Sequence, residues 1–509
     1  MSFLLLELVL TEMMLTKTLV VLLLTGFGYL LYSTIYNLYF HPLSHVPGPR
    51  ISAISNIPHC WWFVGGRHPY KMLELHSKYG HAVRVAPNEV SFNSAQSWKD
   101  IYSTRPGHNT FVKGHFYSGG SFAGIGTTSI ISERRPEVHR QMRNYLAGAF
   151  SDRAILGQEE FVAALVDVFI HIVGVRGSRK EGLNMQETLV SLTFDITGDL
   201  SFGESFGALK SEKQHPWIAV TLHAANQGGI VDMLNRFPIL QKVIPIIMSR
   251  KLNELTQDTK KHEELSLKVV QKRAKRKIGR KDFLTQMLED RDPNVVSDQQ
   301  VAAQASDLVI AGSETTSTTL ATLLYYLLRN PTAMSRLTDE VRNRFQRYDE
   351  ITSNSTVSLP YLRAALLETM RIYPPVPMGL PRIVPEGGDT VDGVFLPGGV
   401  TVSTNPLATC LSQGNFHEPW SFKPERWIEK IEADDLQCSQ PFSLGARVCL
   451  GRNLAWQSLR TIAVKLIWVY DLELVNTEMD WHRDSQMHTL WRKPDLFVRA
   501  TNRGVNIPC

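Results

Sequence analysis

The stretch Pro441-Phe442-Ser443-Leu444-Gly445-Ala446-Arg447-Val448-Cys449-Leu450-Gly451-Arg452 places one cysteine between two glycines and two arginines, just ahead of an apolar run with helical spacing. Gly445 permits a tight turn whose backbone N–H groups point at the Cys449 sulfur. A helix beginning near Leu450 offers the same atom its positive end. With Arg447 and Arg452 close by, these features favour thiolate over thiol. A single thiolate held this way has the chemistry of an axial ligand to haem iron, where its electron donation favours O–O bond cleavage. By itself the loop also reads as a Gly-rich turn around a buried structural cysteine. Zinc is a poor alternative, because no second Cys or His stands at ligand spacing.

Upstream, Ser297-Asp298-Gln299-Gln300 has the form of a capping box, and Pro331 is a stop signal. The spacing predicts a long helix to about Asn330. Its middle reads Ala311-Gly312-Ser313-Glu314-Thr315-Thr316. A glycine there costs about 1 kcal/mol relative to alanine, and the hydroxyls compete for backbone carbonyls. Such a local conflict is expected at functional sites. Above a haem, this segment makes a groove for dioxygen, with Thr315 hydrogen-bonding the oxygen and Glu314 relaying protons. Without the cysteine loop, the same residues would read as a polar stripe on an amphipathic helix.

Other elements must hold these residues. The 509 residues are 43% hydrophobic and 20% charged, enough for a large core. The net charge of +5 is too small and diffuse to imply nucleic acid, and it suits an anionic membrane surface or an acidic partner. Five scattered cysteines (60, 410, 438, 449, 509) form no disulfide framework and point to a reducing compartment. Residues 18–40 carry no charge and end in Tyr36-Asn37-Leu38-Tyr39-Phe40, an interfacial aromatic belt. They predict a retained membrane anchor within residues 1–40. Residues 41–50 hold three prolines and predict a stiff, extended hinge. Residues 51–509 are expected to form one catalytic domain, mainly helical with small sheets. Strands are predicted at Ala82–Ala86, at Glu89–Phe92 and within Thr390–Thr404, and a helix from Tyr361 to Ile372. The basic run Lys272–Lys281 reads as a solvated helix end and loop rather than a localisation signal.

The string Phe442-x-x-Gly445-x-Arg447-x-Cys449-x-Gly451 fills every defined position of the haem-thiolate signature of the cytochrome P-450 family, and the chain resembles its microsomal members from the hinge to Cys449. Glu368-Thr369-Met370-Arg371 and Phe422-Lys423-Pro424-Glu425-Arg426-Trp427 look like the family's Glu-x-x-Arg pair and its Pro-Glu-Arg segment. Tyr39-Phe40-His41-Pro42-Leu43 and Val83 to Glu89 are similar to filamentous-fungal members of secondary metabolism. The resemblance implies the cytochrome P-450 fold and haem b on the Cys449 thiolate. It implies a buried network of Glu368, Arg371 and Arg426. For the haem propionates it implies His139 and Arg143, which match an aromatic-x-x-x-Arg helix with His in place of the usual Trp, then Arg382 and Arg447. The distal pocket is expected to be walled by residues 105–131 (Phe111, Phe116, Tyr117, Phe122), by Val376–Leu380 and by Met487–Leu490. Ile230–Met248 is expected to dock on the membrane.

The activity implied is monooxygenation of a small lipophilic substrate with O2. The chain has no Gly-rich phosphate loop or flavin segment, so electrons would come from NADPH–cytochrome P-450 reductase. The location implied is the endoplasmic reticulum membrane, single-pass, with the catalytic domain in the cytosol. The acid–threonine pair weighs against a haem-thiolate isomerase or dehydratase that works without O2. The apolar distal loop weighs against a non-enzymatic haem binder.

Overall fold

Thirty mostly apolar residues, Thr11–Phe40, make one helical rod long enough to cross a bilayer. The computed structural model describes residues 2–118, 127–211, 229, 232–237, 249–275, 282–292, 296–429 and 431–507. In it, α1 (Ser2–Ile35) runs into a π-turn at Tyr36–Phe40. The helix begins well before residue 18, because the preceding residues are leucines, methionines and two glutamates, which suit a helix. None of the span is buried in protein, which fits a single-pass membrane anchor.

The hinge is not extended throughout. Ser44 N–H donates to the His41 carbonyl at 2.8 Å and Val46 N–H to Leu43 at 3.1 Å, so residues 41–46 turn, and Leu43 is buried in an apolar cluster. Burying the Leu43 side chain outweighs the extended preference of its proline neighbours. The segment is then fastened to β1 (Ala82–Ala86). Arg84 N–H donates to the Pro47 carbonyl at 2.8 Å, and the buried Arg84 guanidinium donates to Asn37 at the end of the membrane helix at 2.7 Å. A Cβ on Gly48 would stand 2.4 Å from the Arg84 carbonyl oxygen, so only glycine lets this segment lie against β1.

The predicted hairpin forms: β1 pairs antiparallel with β2 (Glu89–Phe92). Three further strands complete a five-stranded sheet, β3 (Val112–Lys113), β4 (Arg382–Ile383) and β5 (Thr401–Thr404), in the order β1-β2-β5-β4-β3. The β2–β5 pair is parallel, with Val90 opposite Val402. Asp389–Val391 and Val394–Leu396 form a separate ribbon. The helices used below are α2 (Ile57–Val64), α3 (Pro136–Ala147), α4 (Met185–Phe202), α5 (Asp298–Arg329), α6 (Pro360–Ile372) and α7 (Arg452–Val469).

Helix α5 is the axis of the core. Ser297 caps it by accepting from Gln300 N–H at 3.3 Å, and it ends before Pro331. It crosses α4 so closely that a Cβ on Gly312 would lie 2.5 Å from Thr197 Cγ2. Thr193 of α4 donates to the Ser313 carbonyl at 2.9 Å. The glycine therefore has a packing reason besides the groove read from sequence. The basic run is less solvated than expected: Arg273 is buried and pairs with Asp282 at 2.9 Å. Lys272 pairs with Glu204 at 2.8 Å, and residues 276–281 lie outside the described residues.

The Glu368 carboxylate on α6 is fully buried. Arg371 grips it at 2.8 Å through both Nε and Nη2. Arg426 Nε, Trp427 Nε1 and Lys423 N–H approach at 3.0, 3.0 and 2.9 Å. Arg426 also pairs with buried Asp434, and Arg371 donates to the Cys410 and Pro419 carbonyls at 2.8 Å each. Burial alone would raise the Glu368 pKa, but Arg371 and Arg426 hold it below the ordinary value. Removing one member leaves a buried charge uncompensated. Arg371→Ala is expected to cost ~3–5 kcal/mol and to give protein with little bound haem, read by thermal unfolding and haem absorbance. Wild-type stability and haem content in that variant would contradict the assignment.

Candidate active site

The cysteine loop is shaped by one glycine. Gly445 has φ +70°, and a Cβ there would stand 2.1 Å from the Tyr102 carbonyl oxygen. Cys449 N–H closes the turn on the Phe442 carbonyl at 2.9 Å, and the Phe442 ring lies 6.0 Å from Trp456. α7 starts at Arg452, two residues later than expected, so Gly451 is its N-cap and its backbone lies beside the sulfur.

Two charge expectations change. Burial raises the Cys449 pKa, while Gly451, Arg143 and Arg452 pull it down. Burial thus opposes the thiolate that these neighbouring groups favour. Arg447 is not among the groups acting on the sulfur, because its guanidinium turns back to the Glu133 and Arg134 carbonyls at 2.8 and 3.0 Å. Arg143 of α3 takes its place and donates to the Val448 carbonyl at 2.8 Å. Cys449 is exposed although protein surrounds it, as expected of a group facing an internal void.

The four residues expected at the propionates come together. On α3, His139 is buried and Arg140 faces solvent, which settles the register. Arg382 on β4 is buried and lies over the Tyr102 and Tyr117 rings at 5.1 and 5.9 Å. Sequence reading missed a fifth cation, Lys113 on β3, whose Nζ donates to the Ile130 and Ile131 carbonyls at 2.9 and 2.6 Å. These groups act on one another. Burial first, then Arg447 and Arg382, holds Lys113 well below its ordinary pKa. Burial and Arg382 lower Arg447 to about 10. Burial, Arg447, Lys113, Arg143 and Arg382 lower His139 to about 3. The opposing carboxylates are Asp307 and Glu133, and Glu133 is engaged by Arg135 at 2.8 Å. Such an excess of enclosed positive charge calls for anions.

In the middle of α5, Ala311 is exposed and Thr315 half-exposed, while the surrounding residues Ile310, Ser313, Glu314 and Thr316 are buried. Residues four apart share a helix face, so one face of the core helix opens on empty space. Thr315 Oγ1 donates to the Ala311 carbonyl at 2.7 Å, the backbone competition expected from sequence. Glu314 is not free. Lys493 Nζ reaches it at 2.8 Å and Thr318 Oγ1 at 2.9 Å, with both charged side chains buried. Lys493 was not foreseen, because nothing in its neighbourhood marks it.

Of the expected pocket walls, Phe111 is buried in the sheet cluster, Phe116 packs against the main core, and Tyr117 joins the cations. Met378 and Met487 are buried in the main core. Phe122 and all of Ile230–Met248 except residues 232–237 lie outside the described residues.

A sequence profile of the cytochrome P-450 family matches residues 47–499, and the chain belongs to that family. It is similar to cytochrome P-450 monooxygenase ORF11 of Penicillium roqueforti, 48% identical over 86% of this chain and 91% of that protein. It is also similar to cytochrome P-450 monooxygenase BipB of Cochliobolus sativus (42%, over 92% and 93%) and to aclL of Aspergillus oryzae (38%, over 92% and 94%). The protein is a cytochrome P-450 monooxygenase, a class that carries haem on a cysteine thiolate and uses O2, a redox partner and lipophilic substrates. The residues present fit that group: an enclosed excess of cations suits its two carboxylates, and an accessible sulfur inside the protein suits its iron.

The neutral state of His139 has a pH consequence. Between its ordinary 6.5 and about 3, the unfolded chain binds a proton that the folded site refuses. Stability therefore falls as pH is lowered through that window. His139→Phe is expected to flatten this fall, measured by denaturant unfolding of the haem-free protein across the range. An unchanged slope would show that other groups carry it.

Proposed function

We propose that this chain binds haem b through Cys449 and oxygenates a lipophilic secondary-metabolite intermediate by hydroxylation, epoxidation or desaturation, taking electrons from NADPH–cytochrome P-450 reductase. The observation that carries this reading is the convergence of Lys113, His139, Arg143, Arg382 and Arg447 beside the cysteine loop. Bound haem supplies the activation of dioxygen.

The chain's own residues do the rest. Arg382, Arg447 and Lys113 hold the propionates, with His139 as a neutral donor, and Arg143 ties Val448 so that Cys449 stays in register. Phe442, Gly445 and Gly451 shape the loop and hold the sulfur. Glu368, Arg371 and Arg426 keep the segment ahead of that loop in place. Glu314 passes protons from the Lys493 side of α5 toward the open face, and Thr315 holds them there, using the hydroxyl that now bonds Ala311.

Residues 1–40 anchor the protein, 41–50 form the hinge and 51–509 the catalytic domain. The location that fits is the endoplasmic reticulum membrane with this domain in the cytosol, supported by Arg50, Arg67 and Lys71 following the span.

The test is product analysis after incubating membranes bearing the protein and the reductase with NADPH, extracts of the source organism and isotopically heavy O2. Incorporation of one heavy oxygen atom, dependent on NADPH, is expected for hydroxylation or epoxidation. A product short of two hydrogens without label identifies desaturation, and turnover without NADPH contradicts the proposal. Glu314→Gln is expected to keep the haem spectrum and lower product formation about a hundredfold. Unchanged turnover in that variant would remove Glu314 from the proton path.

A further inference from the structure

A second cavity has no role in anything above. Its volume is about 30 Å³, room for a group the size of a water or a hydroxyl, and it lies where α2, the helix His68–Tyr79, the strands β1 and β2 and the segment after α6 meet. His59, His68 and Asn405 line it and are 6%, 5% and 2% exposed. His59 Nδ1, both ring nitrogens of His68 and Asn405 Oδ1 have no hydrogen-bond partner. The two imidazoles meet edge to face at 4.8 Å. Leaving a buried polar atom unpaired costs about 1–3 kcal/mol, so four on residues lining one cavity call for a polar occupant, a water or a hydroxyl.

The charge on the wall narrows its chemistry. Arg236 also lines the cavity, but it is already paired with Glu89 at 2.7 Å and Asp232 at 2.8 Å, so it leaves no free cation for a carboxylate. Burial, with Arg236 beside it, keeps His59 neutral; burial and His59 keep His68 neutral against Glu89. A neutral imidazole presents one N–H and one lone pair, and an amide oxygen only accepts. A group that fits this wall must therefore be uncharged and both donate and accept, which a hydroxyl does and a ketone or ether does not. Phe116 and Met378, from two segments expected to wall the substrate pocket, supply apolar surface at the same cavity.

We propose that His59, His68 and Asn405 form an anchoring subsite for a hydroxyl group on the lipophilic substrate. The substrate is then an alcohol already, made by an earlier oxygenation or water-quenched cyclisation, and this enzyme performs a later oxidation on the same skeleton. The inference rests on the reading above that the chain is a haem-thiolate enzyme with a lipophilic substrate.

The test uses the full-length haem-loaded protein and the absorbance change that follows when an organic ligand enters the pocket. The probes are matched pairs: lauryl alcohol with lauryl methyl ether, and cyclododecanol with its methyl ether. Each alcohol is expected to bind about tenfold more tightly than its ether, the worth of one well-made hydrogen bond. His68→Phe and His59→Phe are each expected to bring that ratio close to one with haem content unchanged. Equal affinity within each pair, no response to any probe, or a ratio that survives both variants overturns the proposal and leaves ordered water as the occupant. If one variant fails to take up haem, the other and the wild-type ratio still decide. A wild-type protein without thiolate-type haem absorbance would instead refute the underlying function, so the two failures are distinguishable.

Discussion

Glu368 is a carboxylate held away from water by five hydrogen bonds from Arg371, Lys423, Arg426 and Trp427. Ionising such a group in a dry interior is stabilising only when every lone pair is used. That requirement fixes α6 against residues 423–434, and the same stretch leads directly into the cysteine loop. Asp434 and the Cys410, Pro419 and His417 carbonyls satisfy the outer sides of the two guanidiniums. The loop therefore leaves a segment whose position is set by charge pairing, and packing on Tyr102 at Gly445 then sets its turn.

The opposite electrostatic situation prevails across the site. Around Glu368 opposite charges balance; around Lys113, Arg382 and Arg447 like charges crowd, so that Arg447 and Arg382 lower the proton affinity of Lys113, and Arg382 that of Arg447. A folded chain tolerates this where a bound dianion completes the balance. Cofactor and fold are then coupled, since anything that binds the folded state alone stabilises it.

Much of this was legible in the sequence because the pattern was local. The cysteine loop, the Glu368–Arg371 pair, the Ser297 cap and the β1–β2 hairpin each involve residues a few positions apart, where spacing fixes geometry. What was not legible depends on distant pairings. Lys493 meets Glu314 across 179 residues, and Lys113 reaches its cluster from a two-residue strand. Arg447 is two positions from Cys449, yet the 3-10 turn at Gly445–Arg447 sends its guanidinium elsewhere. The hinge departs from an extended form for a similar reason: proline content describes the chain's own preference, and burial of Leu43 overrides it. His59 and His68 gave no signal, since a histidine in an apolar helix is ordinary until its ring nitrogens are found without partners.

The central claim is that the Cys449 sulfur ligates haem iron as a thiolate. The most direct measurement is the absorption spectrum of the reduced carbon monoxide complex, for the wild-type protein and for Cys449→His. The account predicts the strongly red-shifted band of a thiolate-ligated haem in the wild type, replaced in the variant by the band of a nitrogen-ligated one. A variant spectrum identical to that of the wild type would contradict it.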